Sequence, residues 1–414
     1  MRYLEDFTRR AAFAFSSVIA VLAGVTIVAM PLPTGMPTGM AFAGDRDDDN
    51  HHRGRLPAET IAARQRFFGL DNVDPRTGAI RDDLVILSWT GVSSFAAAFK
   101  GHVVFLDAYI AREGGALPGT NPWPSIRYIG STPEELAALK PEVILFGHAH
   151  FDHMGDLPTV VRANPRARVF GTEEHCRDIK QEVQDVEFHC ESVFTAGATL
   201  GTVKNFPNLL PGVSFTAVKQ PHSAAPTNPA ADPPFPFPHP ACRTTPGLAF
   251  DEYPVQPDEP LAWGFQIVTP TSGIIAIAWQ IRVGDLAILW QDTAGPITGA
   301  CQVRGEIGCE KVPQAFASLP KTDVRLASFV VSGQSVLLAH NNAVREKLFI
   351  PLHHDACGYF HKKRLEEAMA SIPEDRRPVM WFISDPSDYL RPIVFDPKAD
   401  IWRDRGRLRN WRPD

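Results

Sequence analysis

Residues 143–153 read Val143-Ile144-Leu145-Phe146-Gly147-His148-Ala149-His150-Phe151-Asp152-His153. A short apolar run ending at glycine predicts a buried strand. The run is entered from a helix: Thr132-Pro133-Glu134-Glu135 supplies an N-cap, a proline at the first helical position and a capping-box glutamate, and Pro141 stops the helix after Lys140. Beyond the strand stand three histidines and a carboxylate within six residues. His148 and His150, two apart on an extended segment, point the same way and can grip one ion. Asp152 and His153 follow at once and can reach a second ion beside the first. Imidazole and carboxylate suit zinc first, with iron or manganese as alternatives at mixed sites.

On the N-terminal side, Leu84–Ser88, Phe95–Phe99 and Val103–Leu106 are short apolar runs separated by Gly91 and Lys100-Gly101, the pattern of consecutive hairpin strands. Helical segments are expected near 158–164 and 172–183. A second strand-rich stretch comprises Val213–Val218, Gly264–Val268, Ile274–Ile281 and Leu286–Trp290. Two β-rich halves joined to helices predict an α/β fold, an αββα sandwich of two facing mixed sheets with helices outside. Residues 221–260 hold 12 prolines, too many for helix or sheet, and read as an extended insertion.

The ordered motifs resemble the metallo-β-lactamase superfamily of metal-dependent hydrolases. That family has an aspartate closing an early strand, matched by Asp107, then the His-x-His-x-Asp-His loop, matched at 148–153. A lone histidine after a later strand is matched by His222, a bridging aspartate by Asp292, and a last histidine by His353 in Ile350-Pro351-Leu352-His353. The resemblance covers about 84–360 and implies two divalent metal ions. One would be held by His148, His150 and His222, the other by Asp152, His153 and His353, with Asp292 shared. It also implies that a hydroxide between the metals attacks the substrate, oriented by Asp152 and Asp292. His354, Tyr359 and His340 are candidates to protonate the leaving group, His354 being preferred. Asp107 is expected to orient the ligand loop rather than to touch metal. The chain departs from the family at Gln291, where glycine usually precedes the bridging aspartate, and at Ala108, where proline usually follows the early one. His175, His189, His239, His340 and His361 have no motif support as ligands and read as structural or solvated.

Residues 1–43 read as a secretory signal: Arg2, Arg9 and Arg10, an uncharged apolar run from Ala11 to Met30, and small residues at Ala41-Phe42-Ala43. The expected location is periplasmic or secreted, or membrane-anchored if the segment stays uncleaved. Residues 44–75 are expected to be a flexible linker, 76–400 the hydrolase domain with its proline-rich insertion, and 401–414 an arginine-rich tail. All six cysteines follow the signal, which in an oxidising compartment allows disulfides. Cys176 with Cys190, and Cys301 with Cys309, are the nearest pairs and the first expectation.

Forty-one basic against 47 acidic side chains give a net charge of −6, so the attraction that drives nucleic-acid binding is missing. No Gly-x-Ser-x-Gly elbow, phosphate loop or dinucleotide fingerprint occurs, which removes sequence support for serine-hydrolase, nucleotide-driven and Rossmann chemistry. The expected substrate is a small-molecule ester, lactone or phosphodiester. The alternatives are an iron-bearing redox member resembling sulfur dioxygenases, and an exported metal-binding protein without turnover.

Overall fold

The computed structural model describes residues 55–110, 131–149, 151–195, 197–223, 231–232, 275–298, 308–329, 332–353, 358–383 and 388–403. All belong to one compact unit, Arg53–Asp414. The expected signal, the strand at Gly264–Val268, most of the proline-rich insertion and the tail beyond residue 403 lie outside them.

The first sheet opens with a meander of β1 (Val85–Gly91), β2 (Ser94–Phe99) and β3 (His102–Leu106). The expected turn at Lys100-Gly101 is a two-residue connection in which both residues have positive φ, the geometry that matches the twist of paired strands. Then β4 (Val143–Leu145), β5 (Arg168–Thr172) and β6 (His189–Phe194) join in parallel, each after a helical crossover. The second sheet begins with an antiparallel meander of β7 (Val203–Leu210), β8 (Val213–Pro221), β9 (Ile275–Val283) and β10 (Leu286–Gln291). It continues in parallel through β11 (Val324–Ser328), β12 (Leu348–Leu352) and β13 (Val379–Met380). The chain returns to the first sheet with β14 (Pro392–Asp396) and β15 (Ile401–Trp402). Among the described residues the orders are β15-β14-β1-β2-β3-β4-β5-β6 and β13-β12-β11-β10-β9-β8-β7.

Period-two alternation makes the layers. Ile277, Trp279, Ile281, Ile288, Trp290, Leu326 and Ile350 point into one continuous core with Val85, Leu87, Phe95, Phe105 and Phe170 of the first sheet, so the sheets face each other. The intervening residues serve the outer face. Val218, Ala278 and Leu289 meet Val312 and Phe316 of the helix Val312–Ser318, while Ala327 and Phe349 meet the helices Gln334–Val344 and Gly358–Ala370 through Leu337, Leu365 and Met369. Ala58–Phe68 (α1), Pro133–Ala138 (α2), Phe151–Met154 (α3), Leu157–Ala163 (α4) and Glu173–Glu182 (α5) belong to the first sheet's half. The last three helices, from Val312, Gln334 and Gly358, are α6, α7 and α8. The observed architecture is the expected αββα sandwich of two mixed sheets.

Two expected boundaries are corrected. The linker at 44–75 contains α1, because Ile61, Ala63, Phe67 and Phe68 fall on one helical face and are buried. The tail starts later than 401: Ile401–Trp402 pairs with β14, and Arg403 is fixed by its side chain on Asp396 Oδ2 at 3.0 Å and by its N–H on Val394 O at 2.8 Å. The expected Cys176–Cys190 disulfide is present and ties α5 to β6. Cys309 is also disulfide-bonded, and Cys301, its expected partner, lies outside the described residues.

Candidate metal centre

Each candidate ligand sits just beyond the C-terminal end of a strand. β3 delivers Asp107, β4 the loop from Gly147 into α3, β8 His222, β10 Asp292 and β12 His353. Strand ends on one edge of each sheet therefore converge, the usual place for a site in α/β folds.

One ligand atom from each of His148, His153 and Asp292 lies within 4.8 Å of the others, and all three residues are buried. The His148 ring is 4.1 Å from that of His153 and 4.6 Å from that of His222, and the His153 ring is 5.4 Å from that of His353. Five of the seven residues proposed as ligands are thus brought together. His150, the side chain of Asp152, His354 and the side chain of Tyr359 lie outside the described residues. His340 is described, but it is fully buried in α7 rather than in the cluster.

Hydrogen bonds orient the rings. His153 Nδ1–H donates to Asp107 Oδ2 at 2.7 Å, which leaves the Nε2 lone pair as that ring's donor to a cation. Asp107 Oδ1 accepts from Gly147 N at 3.2 Å, so one carboxylate holds both ends of the ligand loop. This is the orienting role expected for it. His222 Nδ1–H donates to Ser223 O at 2.7 Å, which likewise directs Nε2 outward as an acceptor. His148 Nδ1 lies 2.5 Å from Asp292 Oδ2, a short hydrogen bond in which the two groups share one proton.

The backbone is adapted to this crowding. A Cβ on Gly147 would fall 1.9 Å from Asp292 Cγ, so no other residue fits there while Asp292 keeps its place. A Cβ on Gly295 would fall 2.0 Å from His222 O. Asp107 and His353 both hold left-handed φ, 61° and 64°, a conformation that costs a non-glycine residue on the order of 1–3 kcal/mol and collects at functional sites.

Pattern reading missed the residues that clamp the two sheets together at this edge. In the turn after β1, Val92 O accepts from His353 N at 3.1 Å, Ser93 Oγ donates to Asp292 O at 3.0 Å, and Trp290 Nε1 donates to Ser93 O at 3.0 Å. Asp156 Oδ2 accepts from Ile110 N at 2.8 Å and secures the segment after Asp107. Gly91 was the only local signal for the first group, and Asp156, three residues after His153, had none beyond its spacing.

Burial pushes the Asp292 carboxyl well above the usual carboxylate range, and the neighbouring Asp107 carboxylate adds to the effect. Its Oδ1 is buried without a hydrogen-bond partner among the described residues. A buried carboxylate with an unsatisfied oxygen beside two oriented imidazoles is a donor set that a divalent cation satisfies in charge and in ligand chemistry. The residues present fit a metal.

No protein-family model matches the chain. Two curated relatives share part of it. A UPF0173 metal-dependent hydrolase of Pyrobaculum neutrophilum is 29% identical over 96 residues, 23% of this chain and 36% of the relative. Another from Pyrobaculum aerophilum is 31% identical over 75 residues, 18% of this chain and 33% of the relative. The resemblance is to metal-dependent hydrolases. The chain spans about a third of the length of these relatives. Among solved structures, Igni18, a metallo-hydrolase of Ignicoccus hospitalis, aligns with a TM-score of 0.43 and 15% identity over 75% of this chain and 98% of its own. The metallo-β-lactamase fold protein YhfI of Bacillus subtilis aligns with a TM-score of 0.38 and 11% identity over 73% of this chain and 97% of its own.

Proposed function

We propose that the chain is an exported metal-dependent hydrolase acting on a small-molecule ester, lactone or phosphodiester. The observation that carries this reading is the convergence of His148, His153 and Asp292 within 4.8 Å, with the rings of His222 and His353 beside them. By the resemblance, His148, His150 and His222 would hold one divalent ion and Asp152, His153 and His353 the other, with Asp292 available to both. Zinc is the preferred metal for this nitrogen-rich set. Such ions supply Lewis acidity toward the attacked oxygen and make a water nucleophilic near neutral pH.

The chain's own contribution is orientation. Asp107 fixes the tautomer of His153, and the Ser223 carbonyl fixes that of His222. Gly147 lets Asp292 approach the loop, and the Val92-Ser93 turn holds the backbone of both Asp292 and His353. Export is supported by the basic, apolar, small-residue order of residues 1–43 and by a disulfide of the kind that persists in oxidising compartments.

Elemental analysis of the purified protein, together with a panel of ester, lactone, phosphodiester and β-lactam substrates, tests the proposal. Two equivalents of zinc and metal-dependent turnover of one of the first three classes are expected. Asp292→Ala should abolish most of that turnover while leaving the circular dichroism spectrum unchanged. Full metal loading with no turnover on any substrate would favour a binding protein, and iron in place of zinc would favour redox chemistry.

A further inference from the structure

A group of buried polar side chains beside the cluster has no part in the chemistry above. Gln291 stands directly before Asp292, where the resembled family has glycine, and its side chain is turned toward α7. Its Nε2 donates to Gln220 Oε1 at 2.5 Å and to His340 Nδ1 at 3.2 Å. His340 Nε2–H donates to Gly295 O at 2.8 Å, and Gln220 Nε2 donates to Thr293 O at 2.6 Å. All three side chains are fully buried. Both Gln291 amide hydrogens and both imidazole nitrogens are engaged, while Gln291 Oε1 is buried without a hydrogen-bond partner among the described residues, so the donors alone hold this side chain in place.

The same contacts join the two strand ends that bear candidate ligands. Gln220 is two residues before His222, and Gln291 is one before Asp292. Ser223 N donates to Thr293 Oγ1 at 3.0 Å, and Gly295 N donates to Pro221 O at 3.0 Å, so the backbones beyond β8 and β10 are stitched side by side. Helix α7 meets this seam through His340, which holds its β10 side. At the first turn of the helix, Ser335 N and Oγ donate to Asp232, which belongs to the segment following His222, at 2.9 and 2.5 Å.

We propose that His340 is a positioning residue which, through Gln291 and Gly295, sets the approach of the β8 and β10 ends and thereby the affinity of the centre for a divalent ion. This rests on the metal-centre reading above. The partners around metal ligands commonly change affinity 10–100-fold when removed, and His340 acts one residue further out, on the backbone that carries Asp292.

The test is titration of the metal-stripped full-length protein with Co2+, reading the dissociation constant and the visible ligand-field spectrum. His340→Met keeps the side-chain volume and removes both hydrogen bonds. His340→Gln keeps a donor for Gly295 and an acceptor for Gln291. His340→Met should bind Co2+ roughly 10-fold more weakly, with a shifted spectrum, and His340→Gln should restore both. Equal affinity and spectrum in wild type and His340→Met would overturn the inference, as would equal loss in the Met and Gln variants. If His340→Met does not fold, Gln291→Ala serves in its place: weaker binding is expected, and unchanged binding overturns the inference. A wild-type protein that binds no Co2+ overturns the metal-centre reading and this inference with it. Wild-type binding alongside an unaffected variant overturns this inference alone.

Discussion

Gly147 leaves the room that the Asp292 side chain takes up. The Asp292 carboxylate occupies the space a side chain would need at residue 147, with 1.9 Å between a built Cβ and Asp292 Cγ. Gly147→Ala must therefore displace either the ligand loop or Asp292, and neither can yield cheaply, because Asp107 holds the loop and Ser93 holds the backbone of Asp292. The expected outcome is a folded protein with less than half the wild-type metal content by elemental analysis and turnover reduced at least 10-fold; full metal content would show that the loop relaxes. The candidate ligands of the loop were legible because clustered histidines and carboxylate are rare. Val92, Ser93 and Asp156 were not, since their roles consist of backbone hydrogen bonds across the fold, which residue type and local spacing do not encode.

Among the elements, α7 carries a titratable ring, His340, that is fully buried. Burial, with the Arg325 charge nearby, pushes His340 down from 6.5 to about 3. The folded state therefore keeps this ring neutral, while the unfolded chain takes up a proton once the pH falls below 6.5. Its favourable contribution is complete above pH 6.5 and is lost as the pH falls from there toward 3. At pH 5 the loss amounts to about 2 kcal/mol. Denaturant melts of wild type and His340→Gln at pH 7.5 and pH 5 should show the wild type losing about 2 kcal/mol more over that interval than the variant, and equal losses would refute the assignment. Element reading from sequence worked where apolar runs alternate cleanly, as in β1 to β4 and β8 to β10. It failed at β6 and β7, each of which buries only two residues, and at β11, where Arg325 interrupts the apolar pattern. That arginine is tolerated because Glu346 lies 3.0 Å from it, also buried, and the rings of Phe329 and Phe349 flank its guanidinium at 4.9 and 5.0 Å. None of these partners is adjacent in sequence, so a lone charge in a strand could not be recognised as a buried one.

The two sheets share one apolar core, yet at the edge bearing the cluster they meet through ionisable groups. Asp107, His148 and His153 come from one sheet, and His222, Asp292 and His353 from the other. Without a cation, that edge keeps a carboxyl driven toward its protonated form and an Asp292 oxygen lacking a partner, which weakens the join between the layers where the apolar core ends. A cation held by these residues would join the two sheets and stabilise the folded state by mass action, by about 2.7 kcal/mol when free metal stands at 100 times its dissociation constant. Chelator-stripped protein should therefore melt at a lower temperature than zinc-loaded protein, and readdition of zinc should restore the midpoint. Hydrogen exchange locates the effect. Faster exchange after stripping is expected at 147–153, 220–223, 292–295 and 352–353, whereas β1 to β3 remain protected by the apolar core they share with both layers. Uniformly faster exchange would mean that the metal stabilises the fold without bridging the sheets, and an unchanged midpoint would mean that no cation joins them at all.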